Sequence, residues 1–199
     1  MARSNIKQTA VIVALMLCLA RVVFAQTPGQ QVQETIHRVT AIIGSSSSAE
    51  PDRLDEIKRL LLPRFDWPEM AKRSLGKHWP KVPERQNEFI SAFTEFVSNA
   101  YLGTISGYKD ERIVFAGERR EQNLAEVDTK LMPNKGDPMP VNYRLHLVQG
   151  EWKIYDVVIA DISLINNYRS QFNRILAKAS FDDLVKQLRD KDSRGASYS

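Results

Sequence analysis

The spacing of apolar residues changes near Tyr108, and this change constrains the fold more than any other feature of the sequence. Before it, and again after residue 160, apolar residues recur every three or four positions, which is typical of amphipathic helices. Between Arg112 and Ile159 they recur at every second position and turn-forming residues separate the runs, which is typical of strands. Helices gathered around one antiparallel sheet predict an α+β protein.

Four antiparallel strands are predicted in the alternating region, at 112–119, 122–132, 139–148 and 151–160. The two-residue loop Gln149-Gly150 makes the last two strands a hairpin and sets its register. The register predicts three facing pairs: Leu147 with Trp152, Leu145 with Ile154, and Val141 with Val158. One face of this hairpin is therefore apolar, and the mixed opposite face is expected to be partly covered as well.

About six helices are predicted around this four-stranded sheet. They span Pro28–Gly44, 51–62, Asp66–Leu75, a long segment from after Pro83 to Ile105, a segment that begins between Asp161 and Ser163 and ends at Leu176, and 181–188. Asp66 is expected to cap the third helix, and Ser180 with Asp183 forms a capping-box pattern before the last.

The N-terminus has the features of a secretory signal peptide. Arg3 and Lys7 precede an apolar run of 11 residues from Ala10 to Ala20, and residues 23–25 offer a cleavage site after Ala25. A membrane-spanning helix needs about 20 apolar residues, so this run is too short to be an anchor. We therefore expect residues 1–25 to be removed and the mature protein to be periplasmic.

The mature chain is expected to form a single domain over residues 26–190, followed by a disordered tail at 191–199. Cys18 leaves with the signal peptide, which excludes disulfides, thiol nucleophiles and cysteine metal sites. Three of the 28 basic residues leave as well, so that 25 remain beside 24 acidic ones. This balance gives no electrostatic reason to expect a nucleic acid partner.

No cofactor, metal or catalytic site is predicted. The three histidines, His37, His78 and His146, lie in different predicted elements. Glu34, one helical turn from His37, would supply at most a second ligand, whereas a metal site needs three or four. No serine lies in a nucleophile-elbow pattern, and no glycine-rich phosphate loop is present.

Asp156 supports the one enzymatic hypothesis. A mid-strand carboxylate beside Tyr143 could be a general base in an apolar cavity, as in a small isomerase or hydratase where Tyr143 or Tyr155 polarises a carbonyl. The commoner role is an ion pair with an arginine such as Arg169 or Arg144, and the sequence favours that role. We therefore expect a protein that is not an enzyme.

Two separated blocks resemble the MlaC family, also called toluene-tolerance auxiliary proteins. The first block contains Phe65-Asp66, Met70-Ala71, Leu75-Gly76 and Trp79. The second contains Tyr143-Arg144-Leu145, 150–157, Ser163-Leu164 and 167–172. The sequence departs from the family at Ala160-Asp161-Ile162, where many relatives carry a glutamate and a glycine, and we expect Asp161 to cap the following helix.

The resemblance implies an α+β fold related to the cystatin-like cone, with a helical subdomain, that holds glycerophospholipid acyl chains between sheet and helices. It also implies a periplasmic carrier in an ABC transport system that maintains outer-membrane lipid asymmetry. Its partners would be an outer-membrane lipoprotein complex and an inner-membrane complex of a substrate-binding ring and an ABC transporter. Some relatives are associated with hopanoid loci, so a hopanoid-type lipid is an alternative ligand.

The long helix and the sheet offer apolar walls for such a cavity. Periodicity does not distinguish a cavity from a filled core, so the lipid-binding cavity depends on the resemblance. Its expected lining is Phe89, Phe93, Val97, Tyr101, Ile113, Phe115, Val127, Val141, Tyr143, Leu145, Leu147, Trp152 and Ile154. Candidates for its rim are Arg144, Tyr155 and Arg169, for which ion pairing or cation–π packing within the fold is an equal alternative.

Overall fold

The structure is a computed structural model that describes residues 26–45, 50–107 and 112–192. Six α-helices lie in these ranges, as predicted. They are α1 (Pro28–Gly44), α2 (Glu50–Leu61), α3 (Trp67–Leu75), α4 (Gln86–Gly107), α5 (Leu164–Leu176) and α6 (Phe181–Asp192). Short 3₁₀ turns at Leu62–Arg64, Gly76–Lys81 and Pro83–Arg85 connect α2, α3 and α4.

The sheet has five strands and not the four predicted. They are β1 (Arg112–Glu121), β2 (Leu124–Met132), β3 (Met139–Val148), β4 (Glu151–Ile159) and β5 (Ile162–Ser163), paired antiparallel in chain order. Ala160 and Asp161 adopt φ values of +47° and +66°. Two consecutive left-handed residues make a tight hairpin turn, so the chain folds back on β4 before the next helix begins.

Asp161 therefore does not cap α5, which corrects the sequence prediction. Ser163 takes that position, where its side chain accepts a hydrogen bond from the Asn166 N–H at 3.1 Å. The two other predicted caps are confirmed, because Asp66 accepts from the Glu69 N–H at 3.0 Å and Ser180 accepts from the Asp183 N–H at 3.1 Å.

The β3–β4 register is confirmed at the turn and differs at its far end. Leu147 pairs with Trp152 and Leu145 with Ile154, but Val141 pairs with Ile159 and not with Val158. A β-bulge at Tyr155 causes the difference, since Arg144 next to Leu145 already pairs with Asp156. One extra residue in β4 shifts every later pair by one position.

The apolar core consists of three clusters. The helical cluster joins α3, α4, α5 and α6, and its buried members include Met70, Phe89, Phe93, Tyr168, Phe172 and Leu184. The sheet cluster joins α1 to β2, β3 and β4 through Val32, Ala125, Val127, Leu145, Trp152 and Ile154. The third cluster joins α1, α2 and the end of α4 through Val39, Ile57, Leu60 and Leu102. Phe65 packs against both the helical and the sheet cluster.

The predicted signal peptide, residues 1–25, lies outside the described residues. At the other end α6 continues to Asp192, two residues into the predicted tail, and 193–199 again lie outside them. Among the helices that are described, none is both long and apolar enough to cross a membrane.

Candidate functional site

Strand pairing places all nine predicted sheet residues on one face, which we call the inner face. Phe115 faces Thr129, which faces Val141, and side chains two positions apart along a strand share a side. The same reasoning joins the remaining members through Val127 opposite Tyr143 and Leu145 opposite Ile154. The inner face consists of Ile113, Phe115, Val127, Val141, Tyr143, Leu145, Leu147, Trp152 and Ile154.

Helix α1 covers one half of the inner face. Val32 and Ile36 pack with Val127, Leu145 and Trp152. Two hydrogen bonds hold the helix there: the Gln31 side-chain amide donates to the Trp152 carbonyl at 2.6 Å, and the Gly29 N–H donates to the Glu118 carboxylate at 2.8 Å. This part of the sheet is ordinary filled core.

The other half of the inner face is only partly covered, and we call it the open half. Across the strands it contains a row of Phe115, Thr129, Val141, Ile159 and Ile162. Phe115 and Ile162 at the two ends are 40% and 63% exposed, Val141 and Ile159 are half-buried, and the smaller Thr129 between them is buried. Large apolar side chains at this exposure are suited to an apolar ligand.

The predicted lining residues of the long helix lie elsewhere. Phe89 and Phe93 are fully buried, and both rings meet Phe172 edge-on, with ring centroids 5.8 and 6.2 Å apart. Val97 belongs to the same helical cluster and Tyr101 packs against it half-buried. The structure thus brings the sheet residues together but separates them from the helix residues, which fill a core of their own.

The three rim candidates do not lie at the inner face. Arg144 and Tyr155 alternate with Leu145 and Ile154, so their side chains point to the opposite, outer face. Tyr155 packs under the Arg73 guanidinium, 4.4 Å from the ring centroid. Arg169, on α5, donates a hydrogen bond to the Arg73 carbonyl at 2.9 Å. All three are engaged within the fold: Arg144 in ion pairs and Tyr155 in cation–π packing, as in the alternative interpretation, and Arg169 in a hydrogen bond to the backbone.

Asp156 holds α5 against the outer face. Its carboxylate accepts from the Arg144 guanidinium at 3.2 Å, from the Ser163 hydroxyl at 2.7 Å and from the buried Ile165 N–H at 3.1 Å. The Asp156 side chain is only 6% exposed. The predicted structural pair is confirmed with Arg144 as the partner, and both carboxylate oxygens are occupied.

A charged network on the outer face was not predicted. Arg119 pairs with Glu126 at 3.0 Å and with Asp128 at 2.6 Å, and Glu126 also reaches Arg144 at 3.5 Å. The signal for it lay in the alternation of β2, where Glu126, Asp128 and Lys130 occupy every second position. Because long charged residues line this side, the inner face is the apolar side of the sheet.

Five members of the apolar surface were missed from the sequence: Ile36, Phe65, Val157, Ile159 and Ile162. Phe65 precedes a helix cap, and its contact with the sheet arises from a bridge to Ile154 that no local pattern reveals. In the described ranges there is no group of three or more histidine, cysteine, aspartate or glutamate residues arranged to hold a metal ion.

Together these features define an α+β protein with one antiparallel sheet whose apolar inner face is half covered by helices. A family model described as MlaC protein matches residues 31–190. The chain therefore belongs to the MlaC family, which confirms the resemblance.

Two named relatives are similar to most of the chain. The intermembrane phospholipid transport system binding protein MlaC of Haemophilus influenzae is 24% identical in an alignment of 187 residues, gaps included, that covers 88% of this chain and 87% of that protein. Toluene tolerance protein ttg2D of Pseudomonas putida is 26% identical in an alignment of 157 residues, gaps included, that covers 75% of this chain and 73% of that protein.

A solved structure shares the fold. It is the phospholipid-binding protein of Ralstonia solanacearum in complex with a phospholipid, with a TM-score of 0.72 and 22% sequence identity. The match covers 85% of this chain and 98% of that one. The α+β fold class is thereby confirmed.

Proposed function

We propose that this protein binds a phospholipid whose acyl chains lie on the open half of the inner face. The observation that carries the proposal is the row from Phe115 to Ile162, where the sheet presents large apolar side chains that no helix buries fully. The relatives' names and the phospholipid complex of the structural neighbour support the same ligand class.

The free-energy cost of exposing acyl chains to water requires a large covered surface in a lipid carrier. Two acyl chains carry roughly 30 methylenes, and at about 0.8 kcal/mol each their exposure to water costs on the order of 20 kcal/mol. A carrier must therefore enclose the chains between the sheet and a covering element.

The headgroup needs few specific contacts, because the acyl chains supply the binding energy. Arg144, Tyr155 and Arg169 are committed to partners on the outer side, and we leave them out of the proposed site. The headgroup would then lie in water beside the exposed Ile162.

We further propose that the protein works in the periplasm after removal of residues 1–25. There it would carry phospholipid between an outer-membrane lipoprotein complex and an inner-membrane complex of a substrate-binding ring and an ABC transporter. The basis is the name of the Haemophilus influenzae relative together with the predicted signal peptide.

No observation favours the isomerase or hydratase alternative. A general base needs a lone pair that faces the substrate, whereas both oxygens of Asp156 face the Arg144 guanidinium, the Ser163 hydroxyl and the Ile165 N–H.

Native mass spectrometry of protein purified without detergent tests the lipid proposal. The wild type should retain a mass equal to one phospholipid. Phe115→Asp should lose most of it, because a carboxylate on the open half is costly to desolvate beside acyl chains. Val114→Asp is the matched control, since Val114 is 46% exposed on the same strand and points to the outer face.

Equal lipid retention in the two variants, or a wild type without lipid, would contradict the proposal. Organic extraction of the same sample identifies the lipid. A hopanoid in place of glycerophospholipid would keep the inner face as the site but replace the proposed ligand.

A further inference from the structure

We propose that a basic groove between α1, α2 and the start of β4 docks an acidic segment of a protein partner. We call it the basic groove; its walls carry Arg38 on α1, Arg59 on α2, Arg64 after α2 and Lys153 on β4. It has a volume of about 490 Å³. The proposal goes beyond lipid binding, since this site and the inner face are different surfaces.

The groove has an excess of positive charge. Its four cations stand beside two carboxylates, Glu56 and Glu151. Glu151 is ionised and already paired, because Lys153 lies 2.6 Å from it and the hydrogen bond from Lys153 lowers the pKa of that carboxyl. Arg38, Arg59 and Arg64 form no ion pair with any carboxylate in the described ranges, and the Arg59 guanidinium donates only from Nε, to the Asp55 carbonyl at 3.2 Å. Their charges are therefore available to a partner's acidic groups.

The Lys153 wall of the groove is fixed in place. The Lys153 ammonium donates to the Pro63 carbonyl at 2.9 Å in addition to its pair with Glu151, which ties β4 to the turn after α2. Ile42, Leu60 and Pro63 supply the apolar lining between the charges. Arginines around an apolar floor fit a segment in which carboxylates alternate with apolar side chains.

The position favours a protein segment over a lipid headgroup. Lys153 alternates with Trp152 and Ile154, so it points away from the inner face on which the acyl chains are proposed to lie. A headgroup attached to chains on the open half would lie beside Ile162, at the opposite end of β4 from Glu151 and Lys153. The occupant of the basic groove is therefore not the headgroup of the carried lipid but part of a separate molecule.

Fluorescence anisotropy with a labelled peptide of alternating glutamate and leucine measures docking on the full mature protein. The test variant is Arg38→Glu/Arg59→Glu, because both side chains are exposed and neither takes part in an ion pair with a described residue. The matched control is Arg174→Glu/Lys178→Glu, which makes the same charge change at a second basic groove between α5 and α6.

We expect the test variant to weaken peptide binding about tenfold or more and the control variant to leave it within about threefold. Binding should also weaken as salt is raised. Equal loss in both variants, or no binding by the wild type, would overturn the proposal. Binding to phosphatidylglycerol vesicles but not to the peptide would overturn it too, in favour of a membrane surface. Lipid retention by mass spectrometry is measured separately, so failure of docking and failure of lipid binding are distinguishable.

Discussion

Replacement of Asp156 by alanine should destabilise the protein strongly because this carboxylate joins β3, β4 and α5. It accepts from the Arg144 guanidinium, the Ser163 hydroxyl and the Ile165 N–H. The three donors differ in what happens when the carboxylate is lost. Arg144, whose side chain is 37% exposed, can turn to water or to Glu126, and Ser163 is half-buried. The N–H of Ile165 has neither option, because that residue is 2% exposed.

The magnitude follows from these differences. A buried N–H left without an acceptor costs about 1–3 kcal/mol. The partly exposed ion pair with Arg144 adds no more than about 1 kcal/mol after solvent screening. The free energy of unfolding should therefore fall by about 1–4 kcal/mol in Asp156→Ala. Asp156→Asn keeps one oxygen for the Ile165 N–H, so its loss should be about 1 kcal/mol.

Urea unfolding followed by circular dichroism measures both values. Asp137→Ala is the control, because Asp137 lies exposed in the β2–β3 loop, and it should stay within about 0.5 kcal/mol of the wild type. A change below about 0.5 kcal/mol in Asp156→Ala would refute the structural role. A turnover that is measurable in the wild type and lost in a stable Asp156→Asn variant would revive the catalytic role of Asp156.

Two further predictions concern turns and caps. Ala160→Asn/Asp161→Gly should stabilise the protein by about 1 kcal/mol in the same unfolding assay, because asparagine and glycine tolerate the left-handed conformations that these positions adopt. A destabilised variant would contradict the assigned turn. Hydrogen bonds from Ser180 lower the pKa of Asp183 from its ordinary value of 3.8. Because the folded pKa is the lower one, the contribution of Asp183 to stability is present above about pH 4 and is lost as the pH falls through the folded pKa. Asp183→Asn should therefore flatten the acid limb of the stability curve, and an unchanged acid limb would count against this linkage.

The sequence predicted the elements well where the local pattern was strong. Helix α1 and the caps at Asp66 and Ser180 are where the apolar spacing and capping residues indicated. The members of the inner face also followed from the alternation within each strand. Strand pairing then brings the nine predicted sheet residues to one side of the sheet. These features depend on interactions between near neighbours in sequence or on a period of two.

The bulge in β4 and the turn before β5 could not be predicted from these local patterns. The bulge at Tyr155 moves Asp156 to the face of Arg144 and brings Val157 to the inner face, where it packs on the sheet cluster. Strand β5 requires two non-glycine residues with positive φ, which local propensity disfavours. Both accompany the packing of α5 on β4, a tertiary contact that the local sequence pattern does not reveal.

The predicted cavity wall on α4 shows a second limit of prediction from sequence. Phe89, Phe93 and Val97 have the spacing of an apolar stripe, and the spacing is the same whether the stripe faces a ligand, a sheet or other helices. In the structure it faces Tyr168 and Phe172 on α5. Which neighbour covers a stripe is a tertiary question that periodicity does not answer.

The most direct test of the central claim is an experimental crystal structure of the mature protein purified without detergent. Electron density for acyl chains should run along Phe115, Val141 and Ile159 on the inner face. A lipid-free structure in which side chains fill this space, or acyl chains bound on the outer face beside Arg144, would contradict it.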